Sequence, residues 1–193
     1  IRIFELYARQ TGNCYLKCWT CNLVLLKTQL SRNIVLTLNF TPQIMNYKII
    51  LQARANSSRL PGKMLMDFYG GKTIPEIIIE NLLVHFKPNQ VVLATTTNTH
   101  DDDLARLAIQ LGIGVFRGDE KDVLKRFIDA AILNDADVIV RVCTDNPFLQ
   151  AESIFTLLDV FDAKRNDYLS FKMWDGTPVI KSHLGLFAEI TTR

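Results

Sequence analysis

From residue 47 onward, short apolar runs alternate with amphipathic stretches, and this alternation constrains the fold more than any other feature of the chain. "YKIIL", "QVVLAT", "GVFR" and "ADVIVRV" have the length and β-branched content of buried strands. Between them lie stretches with the period of a helix. "IPEIIIENLLVHF" places Ile74, Ile77, Ile78 and Leu82 on one face. "DDDLARLAIQLG" has aspartates for its first turn, an inward side of Leu104, Leu107, Ala108 and Leu111, and Gly112 as its stop. "EKDVLKRFIDAAIL" turns Val123, Phe127, Ile128 and Ala131 inward, and "AESIFTLLDVF" does so with Ile154, Leu157, Leu158 and Phe161. "DYLSF" and "LGLFAEI" read as later strands. This order predicts βαβ units, and so an α/β fold with a mainly parallel sheet covered on both faces. Ligands of such a sheet bind beyond the carboxyl ends of the strands, near a switch in strand order. The loops after Leu51, Thr95, Phe116 and Val142 are therefore where chemistry is expected, and all four are polar or charged.

The bulk properties remove several function classes. The chain has 193 residues, enough for one domain of ordinary size, and its 48% apolar content suits a globular protein. The net charge of +2, from 22 basic and 20 acidic side chains, gives no electrostatic case for nucleic acid or an anionic membrane. A membrane span needs roughly 18 uncharged apolar residues, and the nearest approach, "NLVLLKTQLSRNIVLTLNF", is interrupted by Lys27, Gln29 and Arg32. No secretory signal pattern is read at the start, and three of the four cysteines crowd into eight residues, unlike a disulfide framework. A cytoplasmic setting is expected.

The loop after the first of these strands, "QARANSSRLPGK", carries three cations within ten residues. Arg54 and Arg59 can each grip phosphate oxygens with a forked pair of donors, and Lys63 adds a point charge. Ser57, Ser58 and turn backbone N–H groups supply neutral donors, while Pro61-Gly62 makes the turn. A solvated basic loop would share this composition, but its place at a strand's carboxyl end favours a polyanion. Neither standard phosphate motif fits. Ser57 stands where a P-loop needs its first glycine, and Met64 stands where it needs Ser or Thr. "GIGVFRG" misses the dinucleotide fingerprint at Arg117 and lies between a helix and a strand.

"QARANSSRLPGKML" resembles the signature of cytidylyltransferases that activate sugars, among them the 3-deoxy-manno-octulosonate and acylneuraminate enzymes. The resemblance is nearest to relatives assigned to spore-coat polysaccharide biosynthesis. It continues in order through "GGKTIPEIIIENL", "VVLATTTNTHDDDLARLAIQLGIGVFRGDEKDVLKRF" and "VRVCTDNPFL". It implies a three-layer, Rossmann-like nucleotidyltransferase fold of the GT-A type over residues 45–193, and a domain that ordinarily continues past this point to a dimerisation element. It implies Mg²⁺-dependent transfer of CMP from CTP to a sugar, with release of pyrophosphate. Arg54, Lys63 and Asp145 would then be catalytic. Ala53, Ser58 and Arg59 would support the nucleotide phosphates. Thr95 and Thr96 would lie near the nucleotide, and Arg117, Gly118 and Asp122 near its base or ribose. Asp145 matches the magnesium ligand, a role that suits a carboxylate working with substrate phosphates. Turn capping is the alternative for Asp145, since Asp-Asn-Pro is good turn chemistry. His183 is a general base by residue type alone. The late segment "IKSHLGLFAEI" departs from the acidic stretch of the spore-coat relatives, with Glu189 and Asp175 as weak replacements. A nucleotide-binding domain without catalysis is the second reading.

Residues 1–44 are expected to be an extension separate from this domain, because Met45 sits where a transferase start would fall. Within it, Cys14, Cys18 and Cys21 have the C-x3-C-x2-C spacing that resembles the iron–sulfur motif of radical S-adenosylmethionine enzymes. That family needs a long barrel after the motif, and a different domain follows here, so a [4Fe–4S] cluster is not expected. A remnant of such an enzyme is the third reading. Cys143, at a strand end, is expected to be a small buried residue.

Overall fold

The computed structural model describes residues 4–9, 46–56, 60–145, 147–164, 166–181 and 186–193. The strands are β1 (Phe4–Arg9), β2 (Tyr47–Gln52), β3 (Val91–Thr96), β4 (Gly114–Gly118), β5 (Val138–Cys143), β6 (Tyr168–Met173) and β7 (Glu189–Thr192). They form one sheet in the order β1-β6-β7-β5-β2-β3-β4. The pairs β5–β2, β2–β3 and β3–β4 are parallel, and the pairs through β7, β6 and β1 are antiparallel. Five strands therefore run one way, and only β7 and β1 oppose them. The fold is α/β, as the alternation predicts.

Four helices cover the sheet: α1 (Ile74–His85), α2 (Asp102–Gln110), α3 (Val123–Leu133) and α4 (Ser153–Lys164). Helices α1, α2 and α4 pack on one face against Ile49, Leu51, Leu93, Val140 and Ile190. Helix α3 packs on the other, against Ile50, Ala94 and Ile139. Alternate residues of one strand, such as Ile49 and Ile50, thus feed different cores, as the strand period requires. Local signals begin α1. Thr73 and Glu76 form a reciprocal cap, with the Thr73 N–H donating to Glu76 Oε2 at 2.8 Å, and Pro75 sits in the first turn. Helix α2 is followed by Gly112 at φ +75°, which favours the residue without a Cβ.

The inward face of α4 is as expected, with Ile154, Leu157, Leu158 and Phe161 buried. Three other faces are rotated from expectation. Ile79, not Ile77, is buried in α1; Ala105 replaces Leu107 in α2; Arg126 and Ala130 are inward in α3, where Ile128 is exposed. The residues that change sides stand at the edges of each apolar face, where the sheet decides which is covered. In the segment read as "LGLFAEI", the described residues become strand at Glu189. Strand β1 was not expected, and it pairs with the full length of β6 from Phe4 opposite Met173 to Arg9 opposite Tyr168. Cys14, Cys18 and Cys21, and with them the cluster motif, lie outside the described residues. No helix among the described residues is long and apolar enough to cross a membrane.

Candidate functional site

The sheet order places a topological switch between β2 and β5. The chain steps from β2 to β3 to β4 in one direction, then returns to lay β5 on the other side of β2. Gln52 and Cys143 are paired at the carboxyl ends of these two strands, and Thr144 Oγ1 donates to the Gln52 carbonyl at 2.8 Å. Loops leaving here diverge to opposite faces and leave a crevice.

The β2 loop is pinned at both ends. The Ala53 N–H donates to the Ala94 carbonyl at 3.2 Å, and the Gly62 N–H closes back on the Ala55 carbonyl at 3.0 Å. Gly62 has φ +76°, so the turn made by Pro61-Gly62 needs the residue without a Cβ. A short 3₁₀ turn, Lys63–Leu65, follows, and its Met64 is buried in the core. Met64, which breaks the P-loop pattern, is thus the anchor that aims Lys63. The Lys63 ammonium reaches Asp145 Oδ1 at 2.5 Å, from the loop after β2 to the loop after β5. Arg54, in the same loop, is exposed. Ser58, Arg59 and Asn146 lie outside the described residues.

Two buried charges govern the next strand ends, and neither is prominent in the sequence. Asp101, expected only as part of an acidic first turn, is 1% exposed. Its Oδ1 accepts from the Ala55 N–H at 2.7 Å, and its Oδ2 accepts from the Thr96 N–H at 3.1 Å and from the Thr96 hydroxyl. Burial pushes the Asp101 carboxyl up, but these hydrogen bonds outweigh it and hold the pKa below the usual value. Asp101 therefore locks the β2 loop to the end of β3. Thr95 and Thr96 are both buried.

Arg126 is the other. It is fully buried, and only its Nη1 has a partner, the Asp119 carbonyl at 2.6 Å. Nε and Nη2 have none among the described residues. A signal was available: residue 126 stands three after Val123 and four before Ala130, on the buried side of α3. The side chain passes beneath Gly118, where an added Cβ would meet Phe116 Cε1 at 2.7 Å and Arg126 Cγ at 3.2 Å.

The remaining residues of the expected set are held by backbone. Arg117 donates from Nε to the Thr96 carbonyl and from Nη2 to the Asn98 carbonyl, both at 2.8 Å, and pairs with Asp102 at 2.7 Å. It braces the β3–α2 loop. Asp122 caps α3 by accepting from the Lys125 N–H at 2.8 Å. Glu189 pairs with Arg141 on neighbouring β5 at 2.8 Å, and Asp175 accepts from the Thr177 N–H at 2.8 Å within a turn. Cys143 is partly buried, and burial pushes its thiol up. His183 and Gly185 lie outside the described residues.

The sequence model of the cytidylyltransferase family matches residues 48–176, the stretch that contains these strand ends. The chain belongs to the cytidylyltransferase family. Among its relatives, the spore coat polysaccharide biosynthesis protein SpsF of Bacillus subtilis is 30% identical over 145 residues, covering 73% of this chain and 57% of that protein. A solved cytidylyltransferase of Leptospira borgpetersenii superposes with a TM-score of 0.63 at 29% identity, covering 77% of this chain and 60% of that one. A CMP:2-keto-3-deoxy-manno-octonic acid synthetase, solved in complex with CTP, superposes with a TM-score of 0.50 at 25% identity, covering 62% and 48%. This member of the family spans little more than half the length of the curated relatives it matches.

Proposed function

We propose that the crevice binds CTP and transfers CMP to a sugar hydroxyl. The observation that carries this reading is the meeting of Lys63 with Asp145 across the β2–β5 switch, 82 positions apart in the chain. In it, an ammonium for phosphate oxygens and a carboxylate for a cation stand where α/β sheets bind ligands. The acceptor oxygen attacks the α-phosphorus, the α–β bridging P–O bond breaks, pyrophosphate leaves, and the hydroxyl proton passes to solvent. Lys63 and Arg54 neutralise charge on the departing phosphates, and Asp101 pins the loop that carries Arg54. Asp145 fits a magnesium ligand of the kind that shares the ion with substrate phosphates, since it is exposed and acts as a single carboxylate. When bound, Mg²⁺ supplies charge stabilisation to the phosphate oxygens. Among the described residues no group of three or more His, Cys, Asp or Glu could hold a metal without the nucleotide. Residues 45–193 form the nucleotide-binding domain in this reading.

Thermal unfolding of the whole chain with each of four ribonucleoside triphosphates, with and without Mg²⁺, is the test. A ligand at about 100 times its Kd adds roughly 2.7 kcal/mol. That is about 5–10 °C for a chain of this size. The expected result is a Mg²⁺-dependent shift with CTP that weakens in Asp145→Ala. A folded protein that no triphosphate shifts would refute the nucleotide site. Pyrophosphate release with a panel of 2-keto-3-deoxy sugar acids and simple hexoses then separates transfer from binding alone.

A further inference from the structure

Arg126 presents an unusual edge. On a guanidinium, Nε–H and the neighbouring Nη2–H point the same way as two parallel donors. In Arg126 that whole edge is unpaired among the described residues while the far nitrogen, Nη1, is fixed on the Asp119 carbonyl at 2.6 Å. Leaving buried donors of a charged group unmade is costly; the charges of Asp101, Asp119 and Glu120 favour the guanidinium, but none bonds this edge among the described residues. Asp101 is close, but its oxygens accept from Ala55 and Thr96 and not from this edge. Arg54 is also close: after burial itself, its charge is the largest influence lowering the Arg126 pKa. The two guanidiniums repel each other, and Gly118 lacks the side chain that would crowd Arg126.

We propose that the Nε/Nη2 edge of Arg126 reads the pyrimidine base of the nucleotide, pairing with two adjacent acceptors, the O2 and N3 of cytosine. This rests on the nucleotide reading above and adds its base specificity. Position favours the base over the phosphates. Lys63 and Asp145 mark the phosphate end at the β2–β5 boundary, whereas Arg126 lies under Gly118 at the end of β4. Strand spacing of about 4.8 Å puts β4 roughly 10 Å from β2. That is the scale of a nucleoside, not of a second phosphate contact. Uracil carries a hydrogen on N3, so the same donor edge repels it, and discrimination comes from mismatch as well as attraction. Admitting the base takes a shift of neighbouring side chains, of which Arg54 is exposed.

The test measures equilibrium binding of three triphosphates to the whole chain in the presence of Mg²⁺. They are CTP, UTP, and the triphosphate of pyrimidin-2-one riboside, which keeps O2 and N3 but lacks the 4-amino group. The expected result is CTP and the pyrimidinone within a few-fold of each other, with UTP about 10- to 100-fold weaker, the usual scale of one two-point contact. In Arg126→Met the preference for CTP over UTP should disappear. Equal binding of CTP and UTP by the wild type, or a pyrimidinone as weak as UTP, overturns the inference and leaves the nucleotide site standing. An intact preference in a folded Arg126→Met protein does the same. A folded wild type that binds none of the three overturns both. Should Arg126→Met not fold, Arg126→Lys takes its place, keeping the charge without the paired edge, and a retained preference for CTP in that folded variant overturns the inference.

Discussion

Asp101 and Arg126 are both buried charges at the carboxyl ends of the parallel strands, yet they are treated in opposite ways. The carboxylate is satisfied by two backbone N–H groups and a hydroxyl, all supplied by the loops it joins. Among the described residues the guanidinium has one partner and an open edge. A buried charge with a complete set of partners is scaffold; one with an incomplete set is a cost that folding alone does not explain. The difference divides the site into a frame and a reader, and it gives the two residues opposite expected responses to mutation.

Asp101→Ala should have the largest effect. It leaves the buried Ala55 and Thr96 donors without an acceptor, and about 3–5 kcal/mol of stability should be lost, as for breaking other buried charged networks. Chemical denaturation reads this directly, and a loss under 1 kcal/mol would remove Asp101 from the frame. The same residue sets an acid limb. Its pKa is held below the ordinary carboxylate value, so its contribution is complete above pH ~4 and fades as pH falls through the folded-state value. Wild type should therefore lose stability on acidification more steeply than Asp101→Ala.

Gly118→Ala comes next. The new Cβ would crowd Phe116 and Arg126, and overpacking of this kind costs about 1–3 kcal/mol. A thermal midpoint equal to wild type would show that Arg126 has room to retreat and would weaken the case that its path is specified. Arg126→Met should move the other way. Replacing a half-paired buried charge with a flexible apolar chain is expected to leave the ligand-free protein as stable or more stable, by up to about 2 kcal/mol. Asp119 itself is an exposed residue, which eases the loss of its carbonyl's partner. A loss of 3 kcal/mol or more would make Arg126 part of the frame and erase the contrast. Lys63→Met should be the smallest perturbation of stability, within about 1 kcal/mol, because its pair with Asp145 is largely exposed. Its effect should fall instead on triphosphate binding.

Much of this was legible before any coordinates. The strands and helices from Tyr47 to Lys164 follow from local periodicity, and α1 announces itself through Thr73, Pro75 and Glu76. The basic loop at the end of β2 stood out as a candidate site by composition and position. The inward residues of α1, α2 and α3 were less secure, since a helix read alone has a polar and an apolar side but no sheet to settle its edges. Asp101 was read as one acid among three, and Arg126 drew no reading of its own. Their roles depend on Ala55, Thr96 and Gly118, which approach only when separate strands are laid side by side. Strand β1 was missed because its partner β6 lies at the far end of the chain.

By itself, the sequence determined the α/β class, the succession of elements, the family, and the basic and acidic groups available for a nucleotide. These depend on neighbours within a few positions, where spacing and residue type act directly. The tertiary structure alone decided that Lys63 meets Asp145, that Asp101 is saturated, and that Arg126 keeps an open edge under Gly118. Those outcomes arise from strand order. Parallel strands separated by whole helices converge at their carboxyl ends only once the sheet is assembled, and burial there sets which charges find partners.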